Sequence, residues 1–185
     1  MNYYGGKEMA ASFRTVRNNT IKIAEEIPEG QYGFKASPDT RSVGQTLAHV
    51  AVGTGFQLQI QTNKVTDMQT VNFMELMQKM GAEEATPRTK AQIVELLKSE
   101  GEKFATFLEG LSESFLAERV TMPPGFTPAS KSRLEMLLSP KEHEMHHRGQ
   151  LMTVQRMIGL VPHLTREFQQ RMAQRAESAA AQGAR

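Results

Sequence analysis

The decisive stretch of this sequence is KEHEMHHRGQL, which occupies Lys141–Leu151 and carries three of the five histidines in the 185-residue chain. If the stretch is helical, a rotation of about 100° per residue places His143 and His147 about 40° apart on one face. The apolar residues that follow on the same face are Leu151, Val154 and Ile158. The pattern therefore predicts that these two imidazoles project from the apolar, core-facing side of a helix.

The same rotation places the neighbouring polar residues elsewhere. His146 falls at the edge of the apolar stripe, and Glu144 and Arg148 are predicted to point away from it. Only His143 and His147 are therefore expected to face the interior.

A buried pair of imidazoles needs partners, because an unpaired buried polar group costs about 1–3 kcal/mol. A divalent metal would satisfy His143 and His147 at once, since residues i and i+4 stand one helical turn apart. The alternative is a pair of core histidines satisfied by hydrogen bonds, and the spacing alone does not decide between the two.

A third metal ligand has to come from another segment, and His49 is the candidate. The apolar residues that follow it at helical spacing are Val52, Phe56 and Ile60. Alone, such a histidine is more often a core residue than a ligand. Taken together, His49, His143 and His147 would form a facial set with open positions, which suits Zn²⁺, Ni²⁺, Fe²⁺ or Cu²⁺ and indicates catalysis or ligand capture.

Two other metal patterns overlap with the histidine segment. Residues 143–147 satisfy H-E-x-x-H, the zincin pattern, in which Glu144 would be the general base of a protease. Gln150 stands where the metzincin extension requires glycine, and no β-sheet is indicated upstream, yet the zincin interpretation stays open. A ferritin-like di-iron site needs two Glu-x-x-His motifs, and the sequence supplies one, Glu144 to His147.

Outward from this segment, the hydrophobic periodicity predicts mainly helices. The four long ones are Lys7–Ile27, Ser42–Gln61, Thr89–Leu111 and Leu134–Gly159. A shorter helix is predicted over Phe73–Met80, ending before Gly81. The connections at residues 31–41 and 112–130 are too long for tight hairpins. The sequence therefore predicts an all-α fold, a four-helix bundle with long connections.

The last long helix carries a start signal in its interior. Ser139-Pro140-Lys141-Glu142 combines an N-cap, an N1 proline and an N3 glutamate, so a kinked or two-part helix is predicted there. His163 follows Pro162 beyond this helix and is expected at the surface. Residues 1–165 are predicted to form a single domain, and residues 166–185 a polar tail that is partly helical or disordered.

Composition excludes several classes of protein. The net charge of +2 equals the charge of the tail after Thr165, which has four arginines and two glutamates, so the rest of the chain is neutral. Only 6% of residues are aromatic. Nucleic-acid binding is therefore not predicted, because it usually requires a clustered basic face with interleaved aromatic residues. No apolar run approaches the roughly 18 residues that span a bilayer, and the N-terminus lacks a signal-peptide core. Without cysteine the chain has no disulfide, thiolate ligand or cysteine nucleophile. A cytoplasmic protein without membrane partners is the simplest expectation.

Several segments together resemble the DinB-like (YfiT-type, damage-inducible) family of four-helix-bundle metalloenzymes. They are Ile27–Pro38, Arg41–His49, His143–Leu151 and Arg156–Gly159. The third is the most specific, and the resemblance extends to about Pro162. It implies that His49, His143 and His147 match the family's three metal ligands, and that His146 is the neighbour that usually does not ligate.

The resemblance also implies a class of chemistry. Characterised relatives are thiol S-transferases and a thiol-dependent isomerase, which use a low-molecular-weight thiol at the metal. A thiol at a metal is deprotonated at neutral pH, so the protein itself needs no cysteine. The leading hypothesis is a thiol S-transferase with Zn or Ni, or else Fe, acting on a small-molecule substrate as a homodimer. The alternatives are a metal-dependent hydrolase that activates water and a bundle that binds metal or a small ligand without turnover. No catalytic or cofactor-binding residue beyond the three histidines is predicted.

Overall fold

The computed structural model describes residues 4–183, which form seven α-helices and one two-stranded antiparallel sheet. In chain order the elements are α1 (Gly6–Glu26), α2 (Val43–Thr62), α3 (Phe73–Ala85), α4 (Lys90–Glu109), α5 (Glu113–Ala117), β1 (Arg119–Thr121), β2 (Ser130–Ser132), α6 (Arg133–Met157) and α7 (His163–Gly183). Residues 1–3 and 184–185, at the ends of the predicted domain and tail, lie outside the described residues.

Helices α1, α2, α4 and α6 build a four-helix bundle, which confirms the predicted fold class. Helix α1 packs against α4 and α6, and α2 packs against the same two helices. The consecutive helices α1 and α2 therefore occupy opposite corners of the bundle. A chain that joins opposite corners has to cross one end of the bundle, and this explains why the connection between them is long.

The apolar core divides into two main clusters along the bundle. One cluster takes a residue from each bundle helix, including Ile23, Leu47, Leu97 and Leu151. The other lies toward the N-terminal end of α1 and includes Phe13, Phe104, Leu108 and Leu137. Between the two clusters along α1 lies Arg17, which is only 3% exposed. A polar layer therefore separates two apolar layers in this bundle.

The long helix α6 does not divide at Pro140. It begins at Arg133, because Ser132 caps it: the Ser132 hydroxyl accepts from the Glu135 N–H, and the Glu135 carboxylate accepts from the Ser132 N–H. Pro140 is buried inside the helix. The two-part form of the prediction is wrong, since this capping box begins the helix one residue before the predicted Leu134 and proline withdraws only one backbone donor from it.

The prediction for α3 is wrong in length. The helix continues through Gly81 to Ala85, because a single glycine costs a helix only about 1 kcal/mol. Residues 112–130, expected to be irregular or briefly extended, supply α5 and strand β1, and β1 pairs with β2 through Val120 and Lys131.

His163 is buried, so the expectation that it lies at the surface is wrong. Gly159 adopts a φ of 84°, a left-handed conformation that ends α6 and turns the chain toward α1. His163, at the start of α7, is 1% exposed and its Nε2 donates to Oδ1 of Asn19 at 3.1 Å. Of the helices within residues 4–183, none is both long and apolar enough to cross a membrane.

The burial of His163 makes stability depend on pH. Burial lowers the pKa of His163 below its usual value, so the unfolded chain binds this proton more readily than the folded one. The contribution of neutral, buried His163 to stability is lost as pH falls through the unfolded-state pKa of about 6.5. We therefore expect the gap in unfolding free energy between wild type and His163→Gln to shrink from about pH 7.5 to about pH 5. Urea titrations across this range measure the gap, and parallel curves would contradict the prediction.

Candidate metal centre

The three predicted histidines meet between α2 and α6. Nε2 of His49 lies 3.0 Å from Nε2 of His143, and Nε2 of His147 lies 3.1 Å from the same atom. One nitrogen from each ring lies within 4.8 Å of the others. The structure thus brings together side chains that are 94 residues apart in the chain, while their role as metal ligands stays a prediction.

The separations between these nitrogens fit a single cation. Two nitrogens that each lie about 2.0–2.1 Å from one ion, at angles of about 90–109°, are about 2.8–3.4 Å apart. The two observed Nε2–Nε2 distances, 3.0 and 3.1 Å, fall in that range. Two of the three nitrogen pairs are therefore spaced as ligands of one divalent transition metal would be, and all three nitrogens lie within 4.8 Å of one another.

Hydrogen bonds on the far side of two rings determine where their lone pairs point. Nδ1 of His49 donates to Oε2 of Glu84 at 2.9 Å, and Nδ1 of His147 donates to Oε1 of Gln150 at 2.8 Å. Because both acceptors are oxygens without a proton, each ring carries its proton on Nδ1 and a lone pair on Nε2. Both lone pairs are directed at Nε2 of His143, whose single N–H could satisfy only one of them well. A cation at this point would satisfy all three rings.

The environment keeps the rings of His143 and His147 neutral. Burial, followed by the neighbouring His147 and His49, lowers the pKa of His143 to about 4. Burial also lowers the pKa of His147. Metals bind neutral imidazole, so at neutral pH these rings offer their lone pairs without first losing a proton. The ring of His143 also lies against α2, where a Cβ on Gly53 would be 3.5 Å from its Cε1 and Nδ1.

Glu84 belongs to the site, although it is not among the residues predicted from the sequence. Its carboxylate accepts from His49 and from Nε of Arg41. Burial raises the pKa of Glu84, but the hydrogen bonds from Arg41 and His49 outweigh it and hold the pKa below its usual value. The predicted end of α3 before Gly81 left Glu84 in a loop. The one signal that could have indicated it is a helix that continues through Gly81, because such a helix includes Glu84.

Replacing Glu84 with alanine is expected to weaken metal binding by about 10–100-fold, because partners that orient a ligating imidazole have effects of this size. The measurement is calorimetric titration with Zn²⁺ against a competing chelator. Glu83→Ala is the matched control, since Glu83 is the preceding residue on α3 and pairs with Arg88 on the surface. Equal affinities in the two variants would show that Glu84 does not orient His49.

Glu144 does not point to solvent as predicted. It is 1% exposed, and both of its carboxylate oxygens accept from Nε of Arg17 at 3.0 Å. Burial raises the pKa of Glu144, against the opposing effect of Arg17. The prediction was wrong because α6 packs against two helices: the histidines face α2, and Glu144 faces α1. A carboxylate held by Arg17 is not available as the general base of a zincin, so this alternative is contradicted.

His146 lies outside the convergent group. Its side chain is exposed, and its Nε2 accepts from the Gln150 amide at 3.1 Å. Gln150 therefore joins His146 to His147, since its carbonyl oxygen accepts from Nδ1 of His147.

A cavity of about 820 Å³ opens beside the site. The connection between α1 and α2 forms one wall, with Lys35 and Arg41, and α6 forms the opposite wall, with His147 and Gln150. Glu84 also lines it. The volume lies within the range of about 300–1,000 Å³ typical of small-molecule sites, so a small molecule in the cavity could reach His147.

The family follows from the sequence as a whole. The sequence model of the DinB superfamily matches residues 12–151 of the chain, which include all three histidines. The chain belongs to the DinB superfamily. The resemblance inferred from the segments around His49 and His143 is thereby confirmed.

Individual relatives share this fold. The chain is 26% identical over 152 residues to YjoA of Bacillus subtilis (strain 168), itself described as uncharacterized, covering 82% of this chain and 90% of YjoA. The crystal structure of that DinB-like protein superposes with a TM-score of 0.60 at 21% identity, over 82% of this chain and 92% of that chain.

Two further similar structures belong to proteins that are described by a chemical activity. YfiT from Bacillus subtilis, described as a probable metal-dependent hydrolase with an unusual four-helix bundle topology, superposes with a TM-score of 0.65 at 12% identity, over 86% of this chain and 91% of YfiT. A mycothiol-dependent maleylpyruvate isomerase gives 0.61 at 13% identity, over 82% of this chain and 63% of the isomerase. At these identities the likeness shows the shared fold.

Proposed function

We propose that this protein is a divalent-metal-dependent enzyme that transfers a low-molecular-weight thiol to an electrophile. The observation that carries the proposal is the convergence of three imidazole Nε2 atoms, 3.0 and 3.1 Å apart, beside a cavity. Three ligands leave coordination positions open for a substrate, whereas a structural metal site is closed by a fourth protein ligand.

The geometry supports a role for each residue in this proposal. His49, His143 and His147 would hold the ion, and Glu84 and Gln150 orient two of the rings. An imidazole set suits Zn²⁺, Ni²⁺ or Fe²⁺. When bound, such an ion supplies the Lewis acidity that turns a thiol into a nucleophile at neutral pH.

The cavity supports a small-molecule substrate. Its 820 Å³ would accommodate both a thiol and a small electrophile. Since the chain contains no cysteine, the nucleophilic sulfur has to come from a second molecule. The mycothiol dependence named for the isomerase neighbour supports this assignment, and the description of YfiT supports a hydrolase as the second candidate.

The test begins with protein purified without chelators, analysed for bound metal and then assayed before and after metal removal. One assay offers a panel of low-molecular-weight thiols with monochlorobimane: a sulfur–carbon bond forms, chloride leaves with the electron pair, and the thiol proton goes to solvent. The other offers activated esters without thiol. Metal-dependent bimane conjugation supports the transferase. Metal-dependent ester cleavage without conjugation supports the hydrolase, and the absence of bound metal contradicts both.

The small-molecule partner, the homodimer and the cytoplasmic location expected from the sequence stay predictions.

A further inference from the structure

Arg17 bonds to each of the other three bundle helices from the middle of α1. Its Nε donates to Glu144 on α6, its Nη1 donates to the carbonyl oxygen of Leu97 on α4 at 2.8 Å, and its Nη2 donates to the carbonyl oxygen of Val50 on α2 at 3.2 Å. The side chain is 3% exposed. One guanidinium therefore contacts the whole bundle between the two apolar clusters.

Two of these contacts are adjacent in sequence to the histidines. Val50 directly follows His49 on α2, and Glu144 directly follows His143 on α6. A helix rises about 1.5 Å per residue, so Arg17 holds α2 and α6 within one residue of the place where each contributes a histidine. A shift of one helix along the other would change the distance from His49 to His143 and the contacts of Arg17 together.

Helix α4 leaves space for this arginine. A Cβ placed on Gly101 would lie 2.7 Å from Cγ of Arg17 and 3.2 Å from its Cδ and Nη1. Glycine costs about 1 kcal/mol relative to alanine within a helix, so the helix propensity of α4 is lower at the position where the guanidinium passes. The sequence of α4 thus accommodates the side chain of Arg17.

Stability alone does not explain the pair of Arg17 and Glu144. Replacing a buried ion pair with apolar residues of similar volume is often neutral or stabilising, because desolvation offsets the attraction between the charges. Buried polar groups do, in contrast, select one packing arrangement among several in some proteins. A site that depends on nitrogens 3.0 Å apart on different helices requires one such arrangement.

We propose that Arg17 and Glu144 form a positioning pair that fixes the position of α2 along its axis relative to α6 and thereby the geometry of the three-histidine site. This inference rests on the proposed metal-dependent function. Neither residue is placed at the metal: each acts through the helix that carries a histidine.

The experiment compares Co²⁺ binding by visible absorption in the wild type and in the double variant Arg17→Met/Glu144→Leu. The double variant leaves no buried charge unpaired, so its urea midpoint should stay near that of the wild type. We expect its Co²⁺ affinity to fall by about tenfold or more and its ligand-field bands to change, because misplaced ligands alter the coordination geometry.

Arg133→Met is the matched control. Arg133 lies at the start of α6, ten residues before His143; it is also buried, and it bonds to Glu118 and Gln61. Its loss should lower the urea midpoint while Co²⁺ affinity and spectrum stay unchanged. A general loss of packing would weaken Co²⁺ binding in both variants.

The outcomes separate the two proposals. If the wild type does not bind Co²⁺, the proposed function fails. If the wild type binds it and the folded double variant binds with the same affinity and spectrum, the positioning pair is overturned. Should the double variant not fold, Gly101→Ala decides: displacement of Arg17 should weaken Co²⁺ binding despite the better helix propensity of alanine, and an unchanged affinity would overturn the inference.

Discussion

A His143→Ala variant is expected to lose roughly 1,000-fold in Zn²⁺ affinity, if the binding energy of a structural zinc site is shared about equally among its ligands. His143 is chosen for this test because its Nε2 is the atom common to both close nitrogen pairs, at 3.0 and 3.1 Å. Calorimetric titration with a competing chelator measures the affinity.

His146→Ala is the control for this variant, since His146 lies three residues along the same helix, is exposed and is outside the convergent group. It should retain the wild-type affinity. The thermal midpoint provides a second readout. A ligand at 100 times its dissociation constant stabilises a protein by about 2.7 kcal/mol. This metal-dependent gain in stability should be absent in His143→Ala and present in His146→Ala. Equal behaviour of the two variants would show that His143 is not a ligand.

Replacing Glu144 with alanine is expected to destabilise the protein by about 3–5 kcal/mol, because the buried guanidinium of Arg17 is left without its counter-charge. Glu142→Ala is the control. It removes an exposed carboxylate from the same helix and should change the free energy of unfolding by no more than about 0.5 kcal/mol. Urea denaturation followed by circular dichroism measures both changes.

A second comparison shows whether the loss comes from the unpaired charge. Arg17→Met added to Glu144→Ala removes the second charge, so the double variant should be more stable than Glu144→Ala alone. Additive losses would instead indicate that each side chain contributes separately by packing. If Glu144→Ala resembled Glu142→Ala, the buried ion pair would not contribute to stability.

Much of the fold could be predicted because its signals are local. The apolar stripe of α1, the capping boxes at Ser42 and Thr89 and the lack of alternating β patterns depend on residues within one or two helical turns of each other. The spacing of His143 and His147 is local in the same way. His49 was placed with them by the apolar residues that follow it and by the resemblance.

The errors arose where one element meets another. Helical periodicity with a single buried face places Glu144 in solvent, whereas α6 has two buried faces. Glu84 was missed because α3 continues through Gly81. His163 is buried because the left-handed turn at Gly159 directs it toward α1. Glycine is common at helix ends, so its presence does not indicate the direction that the chain takes afterwards.

The sequence by itself determined the four long helices, the bundle, the superfamily and the choice of three candidate histidines, because periodicity, caps and motif spacing act over a few residues. Tertiary structure alone decided which nitrogens meet, which nitrogen of His49 and of His147 carries the proton and which charges are buried. These features depend on distances between side chains from separate helices, such as the 3.0 Å between His49 and His143. Such distances exist only once α1, α2, α4 and α6 have packed around Arg17.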